Sequence, residues 1–350
     1  MNNLSKLPAA DTIGGTQSKP LLNSIVFDAR WIGSHGIGRF AQEISNRLNF
    51  TNNFHSKKNP AGLFSAIELG LWATPKKGKF IFSPSYIPPV FSSLPFAFTI
   101  HDLNHIDVRH NSSIFKRLYY RFIILPAIRR SCCVFTVSEF SKKRIIDWSG
   151  CAPDKIVVVG NGVSSDFNEQ VLSNKPGYSY LFCCSNRKGH KNETRLLHAF
   201  KSCGLHTNIK LVFTGCPDKN TLKVIKNLQL EAAVRFTGKV TESDLASWYK
   251  GALVTIFPSL YEGFGLPLIE SMACGTPVIA SNTTSLPEVA GDAGYYVDPM
   301  NIESIATGIK TVVEDEALRT IMREKGLSRS KLFTWDRTAR LIEDALKEAI

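Results

Sequence analysis

Two doubly wound α/β lobes facing each other across a cleft are the architecture this sequence predicts, and three observations predict it. Short apolar, strand-like runs alternate with helical patterns from residue 24 onward. The alternation breaks at Gly160-Asn161-Gly162 and restarts near Tyr178. The 350 residues divide there into halves that are each long enough to bury a core. Residues 24–160 then form a first domain, 161–177 a hinge and 178–332 a second domain; the helix in 333–350 is expected to pack back on the first domain. Sheets of this kind take their ligands at the carboxyl ends of the strands.

Taken in order, residues 1–23 are polar, with Gly-Gly and Pro, and read as a disordered tail. Residues 24–30 read as a buried strand, 35–39 as a Gly-containing turn and 40–48 as a helix. Further strands are expected at 79–83, 96–101, 132–138 and 155–159. In the second half strands fall at 178–184, 209–214, 234–236, 253–257 and 277–280. Helices fall at 194–202, 218–228, 241–250, 266–273, 302–314 and 336–349. Pro267 suits a first helical turn and Gly275 a position just past a helix end.

With 43% apolar and 21% charged residues, the chain is not collagen-like, disordered or a disulfide scaffold. No apolar run approaches the ~20 residues of a spanning helix. The first residues lack the apolar stretch of a secretory signal, so the expected location is the cytoplasm. The eight Cys are then expected as thiols; two adjacent pairs sit in strand-like runs and no CxxC pairs with another, so no metal site is expected.

Charge is lopsided. Residues 1–165 hold 20 Lys+Arg against 9 Asp+Glu, and residues 166–350 hold 22 against 21. Nearly the whole net +12 thus lies in the first half, which points to a polyanionic partner on one lobe. No acid occurs between Val108 and Ser138, where Lys116, Arg117, Arg121, Arg129 and Arg130 interleave with Ile114, Phe115, Leu118 and Phe122. A helix there sets Ile114, Leu118 and Phe122 on one side and Lys116 and Arg117 on another, the pattern of an element lying on an anionic membrane surface. A core helix with solvated basic edges fits the same residues. No nucleic-acid-binding signature accompanies the charge, so nucleic acid is not an expected partner.

The segment with most chemical content is 258–270, Pro-Ser-Leu-Tyr-Glu-Gly-Phe-Gly-Leu-Pro-Leu-Ile-Glu, between a strand and a helix. Gly263 and Gly265 permit a tight loop whose amides face a ligand, and the helix start behind them suits a diphosphate. Glu262 on the loop and Glu270 in the first helical turns can grip two hydroxyl-bearing parts of one ligand. A Glu near a helix start also complements the dipole with no ligand at all.

On these residues and their continuation through PSLYEGFGLPLIESMACGTPVIASNTTSLPEVAGDAG, the chain resembles the retaining GT-B glycosyltransferases of the E-x7-E group. This is glycosyltransferase family 4, or group 1, which includes bacterial mannosyl- and rhamnosyltransferases of O-antigen and other lipopolysaccharide assembly. The resemblance runs from Ser24 to the last helix. It implies that Glu262 contacts the donor sugar, that Glu270 holds the ribose, and that the amides of Gly263, Phe264, Gly265 and Leu266 meet sugar and diphosphate. The family's diphosphate-binding Arg and Lys match Arg187 and Lys191 in Cys184-Ser-Asn-Arg-Lys-Gly-His-Lys-Asn192. Without the resemblance both would read as solvated charges, and Lys188 rivals either.

In the first lobe, Gly36 and Gly38 with Arg39 match the loop that approaches the donor phosphates, although a lone GxG is weak evidence. His101, followed by Asp102, matches the His beside the reacting centre; taken alone it reads equally as a structural hydrogen-bonding residue. Gly238, Lys239 and Val240 match the loop whose backbone meets the base.

The implied reaction moves a hexose, mannose or a deoxyhexose such as rhamnose first, from a nucleotide diphosphate sugar to a lipid-linked glycan acceptor. The resemblance favours a GDP-sugar, retention of configuration and action at the inner face of the cell membrane. No Asp-x-Asp triplet occurs, so the helix dipole, Arg187 and Lys191 would take the place of a metal ion, and no cofactor is expected. A nucleotide-sugar epimerase of similar fold and a non-catalytic nucleotide-sugar-binding protein are the alternatives. An NAD oxidoreductase would need a G-x-G-x-x-G with a ribose-binding acid after the first strand, and none is there.

Overall fold

The structure is a computed structural model, and it describes residues 22–33, 36–56, 60, 65–73, 78–108 and 111–350. The expected tail lies outside the described residues except for Leu22 and Asn23, and Leu22 is already buried in the first-lobe core.

Each lobe is built on a six-stranded sheet in which every described pairing is parallel. The first contains β1 (Ile25–Asp28), β2 (Asn52–Phe54), β3 (Phe80–Ser83), β4 (Phe96–Thr99), β5 (Cys133–Thr136) and β6 (Ile156–Val158), in the order β2-β1-β3-β4-β5-β6. The second contains β7 (Tyr180–Cys183), β8 (Lys210–Phe213), β9 (Val234–Phe236), β10 (Val254–Phe257), β11 (Val278–Ser281) and β12 (Gly294–Val297), in the order β12-β11-β10-β7-β8-β9. Inner strands such as β1, β3, β4, β7 and β10 are buried at every position, as strands covered on both faces must be. The edge strands β2 and β12 have no counterpart in the sequence reading. Asn-Asn-Phe carries one apolar residue, and Gly-Tyr-Tyr-Val is only half-buried over three of its four positions.

Strand order reverses between β1 and β3 in the first sheet and between β7 and β10 in the second. Loops leaving such neighbours diverge and open a crevice. Residues 184–192 follow β7 and residues 258–265 follow β10, so the two segments singled out in the second half share one switch point.

Helices Leu266–Ala273 and Ile302–Glu314 have the bounds their periodicity gives. The first helix runs Gly36–Leu48, so Gly36 and Gly38 form its first turn rather than a separate loop. A Cβ on Gly38 would lie 2.7 Å from the carbonyl oxygens of Trp31 and Gly33, which shows how closely that turn packs on the chain leading into it. Helix Trp335–Ala349 packs on Gly36–Leu48 through the Trp335 and Phe40 rings, 6.2 Å apart, and through Arg47 and Asp336.

The segment 114–130 is not one regular helix. It runs Ile114–Tyr119, then a π-helical turn Tyr120–Ile124, then Leu125–Arg130. The wide turn rephases the side chains. Tyr120, Ile124, Ala127 and Ile128 enter the core, while Ile114, Phe115, Leu118 and Phe122 are 69%, 80%, 46% and 64% exposed. The core reading therefore holds for one face, and the other face is exposed. Among the described residues no helix is long and apolar enough to cross a membrane.

Candidate active site

The crevice encloses about 350 Å³, with Gly36, Arg39, His101 and Asp102 on its first-lobe wall and Lys191, Glu262, Gly263 and Glu270 on its second. The loop after β10 is fixed by hydroxyls. Ser285 Oγ donates to the carbonyls of Glu262 (3.0 Å) and Phe264 (2.9 Å), and Ser138 Oγ of the first lobe donates to that of Gly263 (2.6 Å). Gly263 is where the lobes touch: a Cβ there would lie 2.7 Å from Asp102 Cβ and 2.8 Å from the His101 carbonyl. Gly265 has φ +105°, and Leu266 opens the helix whose first N–H groups lack intrahelical acceptors.

Glu262 and Glu270 meet opposite partners. Lys191 Nζ donates to Glu262 Oε1 at 2.7 Å. Burial alone would raise the Glu262 carboxyl, yet Lys191 outweighs it and holds the group below the usual carboxylate range. Burial would likewise lower Lys191, and Glu262 more than restores it. Glu270 is 3% exposed and is held from across the cleft, where Arg39 donates to Oε1 while Tyr249 donates to Oε2 at 3.2 Å. Burial pushes the Glu270 carboxyl up, with Arg39 opposing. Arg39 also pairs with Glu242 and lies 5.7 Å from the Phe167 ring centre.

His101 Nε2 lies 3.0 Å from the Pro84 carbonyl, which can only accept, so Nε2 carries the proton and Nδ1 the lone pair. Burial pushes the imidazole down to about 4 and leaves it neutral near pH 7. Asp102 is pushed up to about 6, chiefly by burial, with the Glu262 and Asp107 charges adding to it.

Other candidates sit elsewhere. The Arg187 guanidinium donates to the carbonyls of Thr214 (2.7 Å) and Ser185 (3.0 Å), pairs with Glu193 at 3.2 Å and packs on Phe213 and Phe236, away from the cleft wall. Gly238 exchanges backbone hydrogen bonds with Gly215 at 3.1 Å; beyond it Lys239 is exposed and Val240 half-buried, all off that wall. Arg117, Arg121, Arg129 and Arg130 face solvent, whereas Lys116 is half-buried and turned inward. Arg39 as the partner of Glu270 was not legible, because 231 residues separate the two. Glu242 and Tyr249 carry no motif at all. Among the described residues no three or more His, Cys, Asp and Glu are grouped to hold a metal ion.

A family model described as "Glycosyl transferases group 1" matches residues 164–329, and one described as "Glycosyltransferase Family 4" matches residues 35–167. The chain belongs to this glycosyltransferase family. The O-antigen chain mannosyltransferase B of Escherichia coli is 33% identical to this glycosyltransferase over 217 residues, 58% of this chain and 57% of that protein. The O-antigen chain mannosyltransferase RfbU of Salmonella typhimurium is 29% identical over 220 residues, 61% of this chain and 60% of that protein. The alignments thus span less than two thirds of these relatives. Among solved structures, a sucrose-phosphate synthase from Thermosynechococcus elongatus superposes with TM-score 0.75 at 17% identity over 93% of this chain and 98% of that one. Anabaena HepE in complex with UDP and glucose gives TM-score 0.75 at 17% identity, covering 93% and 99%. These are GT-B folds, and the two parallel-sheet lobes described above share that fold.

Proposed function

We propose that this glycosyltransferase moves a hexosyl residue, mannose or a deoxyhexose such as rhamnose, from a nucleotide diphosphate sugar to a lipid-linked glycan in cell-surface polysaccharide assembly. The observation that carries the reading is the convergence of Glu262, Glu270, Lys191 and the start of helix Leu266–Ala273 on one cleft. Glu270 takes the ribose hydroxyls, Glu262 the sugar hydroxyls, and Lys191 with the helix N-terminus takes charge from the leaving diphosphate. Those groups need no metal ion. The departing phosphate accepts the acceptor proton on the face it leaves, so configuration is retained. Neutral His101 lies beside that face with its Nδ1 lone pair free to accept a hydroxyl hydrogen bond.

The mannosyltransferase relatives favour mannose as the sugar, GDP-mannose is the donor that the family resemblance implies, and the HepE complex keeps UDP-sugars in the screen. The exposed Arg117, Arg121, Arg129 and Arg130 beside Ile114, Phe115, Leu118 and Phe122 fit an anionic lipid surface at the inner face of the membrane. The test is incubation with GDP-, UDP- and dTDP-sugars and a lipid-linked glycan, with the product anomer read by NMR. Transfer with retention is the expected result. Conversion of the sugar without acceptor would identify an epimerase, and binding without turnover would identify a sensor.

A further inference from the structure

Arg39 reaches into the donor site from the other lobe. It lies in the first turn of helix Gly36–Leu48, whose start faces the start of helix Leu266–Ala273. A Cβ on Gly36 would stand 3.9 Å from Leu266 Cδ1. The Arg39 guanidinium spans two carboxylates of the second lobe. Nη1 donates to Glu270 Oε1, and Nη2 donates to Glu242 Oε1 at the start of helix Glu242–Gly251. Arg39, Glu270 and the loop between Glu262 and Leu266 all line one cleft.

Glu270 depends on that cation. Its side chain is 4% exposed, and a carboxylate so buried without a counter-charge takes up a proton instead. Lys191, the cation on the opposite side of the loop, is committed to Glu262. The other groups that face Glu270 bring no positive charge. The Tyr249 hydroxyl donates to Oε2 at 3.2 Å, burial keeps the Cys184 and Cys274 thiols neutral, and Glu242 is a like charge. Arg39 is therefore the group that opposes burial at this carboxyl.

An ionised carboxylate has about four lone-pair sites. Arg39 takes one on Oε1 and Tyr249 one on Oε2, which leaves one on each oxygen. Two neighbouring acceptors match two neighbouring hydroxyl donors, the cis-diol of a ribose. Protonation would turn one of those acceptors into a donor and remove the charge that strengthens the other.

We propose that Arg39 is the positioning residue of the nucleotide subsite: from the first lobe it keeps Glu270 ionised and leaves one acceptor on each oxygen for a ribose diol. The inference rests on the reading of Glu270 as the ribose-binding group. It makes the subsite reach full affinity only with the lobes together, so nucleotide binding and lobe closure favour each other.

The test is calorimetric titration of the full chain with GDP and with UDP between pH 5 and 8, in the parent, R39Q, R39K and Y249F. R39Q and Y249F each remove one hydrogen bond to Glu270, and only R39Q removes a charge. In R39Q binding should weaken about tenfold near pH 6, and the acid fall-off in affinity should move up by about 1–3 pH units. Y249F should leave that fall-off within about half a unit of the parent's. R39K, a point charge without the planar fork, should fall between parent and R39Q, and it carries the test if R39Q folds poorly. A pH profile unchanged in R39Q and R39K would overturn the proposal. So would a loss of affinity equal at every pH, which is what a merely structural contact gives. If neither nucleotide binds the parent, the ribose reading fails, and urea unfolding then decides the role of Arg39. A stability gap between parent and R39Q that narrows as pH falls from 8 to 5 supports it, because the uncompensated Glu270 charge is being neutralised. A gap constant with pH overturns it.

Discussion

The two lobes have the same kind of sheet and contribute to the cleft in different ways. The second brings its chemistry on two neighbouring strand ends, β7 and β10, and fixes it locally: Lys191 on Glu262, and Ser285 on the loop carbonyls. The first brings charge and contact: Arg39 on Glu270, Ser138 on Gly263, the neutral His101, and a basic outer face. Half of the site is therefore self-contained, and the other half exists only where the lobes meet. The Glu288 carboxylate accepts from the amides of Glu139 and Phe140 at 2.8 and 3.1 Å, capping a first-lobe helix from the second lobe and strengthening that meeting.

The largest effect should come from breaking the self-contained half. Lys191→Met removes one partner of a buried pair, so transfer should fall by about 10³-fold and stability by ~3 kcal/mol. Adding Glu262→Gln should return most of the stability, measured by urea unfolding, and none of the turnover.

Breaking the meeting of lobes should cost less. Gly263→Ala drives a methyl against Asp102 and the His101 carbonyl, at a cost of about 1–3 kcal/mol. Transfer should drop while nucleotide binding, which draws mainly on second-lobe groups, should persist in calorimetry.

A pH series sharpens the comparison within the first lobe. His101 has a folded-state value near 4, below its ordinary 6.5, so it withdraws stability as pH falls from 6.5 toward 4. Asp102, raised from 3.8 to about 6, does the opposite and returns stability over pH 6 to 4. Each contributes on the order of 2 kcal/mol. The melting temperature of His101→Asn should therefore fall less than the parent's between pH 6.5 and 4, and that of Asp102→Asn should fall more.

The smallest effect per residue belongs to the outer face. Each of Arg117→Gln and Arg121→Gln should weaken binding to vesicles containing anionic lipid by about 1 kcal/mol, read by co-sedimentation at low and high salt.

The same contrast between lobes governs what the sequence made legible. Glu262, Gly263, Gly265 and Glu270 lie within one stretch of chain, and Leu266–Ala273 has the bounds its pattern gave, because local turn and helix chemistry sets them. Helix Glu316–Ser330 went unread because only Met322, Gly326 and Ser330 are buried on it, too few to print a period. The Arg39–Glu270 pair is tertiary and leaves no local trace. Lys116 faces inward because a π-helical turn follows it and His105 and Asn111 receive it, and neither is visible in a 3.6-residue pattern. For Arg187 the sequence gives position and charge; its direction is set by Thr214 and Glu193 on other elements.

A nucleoside diphosphate in the cleft is expected to be held through Glu270. Thermal unfolding with GDP, UDP, dTDP and NAD, in the parent and in Glu270→Ala, tests it most directly, because a ligand that binds only the folded chain raises the midpoint. One nucleoside diphosphate, GDP first, should raise the parent's midpoint, NAD should not, and the shift should vanish in Glu270→Ala. A shift that survives Glu270→Ala, or one produced by NAD alone, would contradict it.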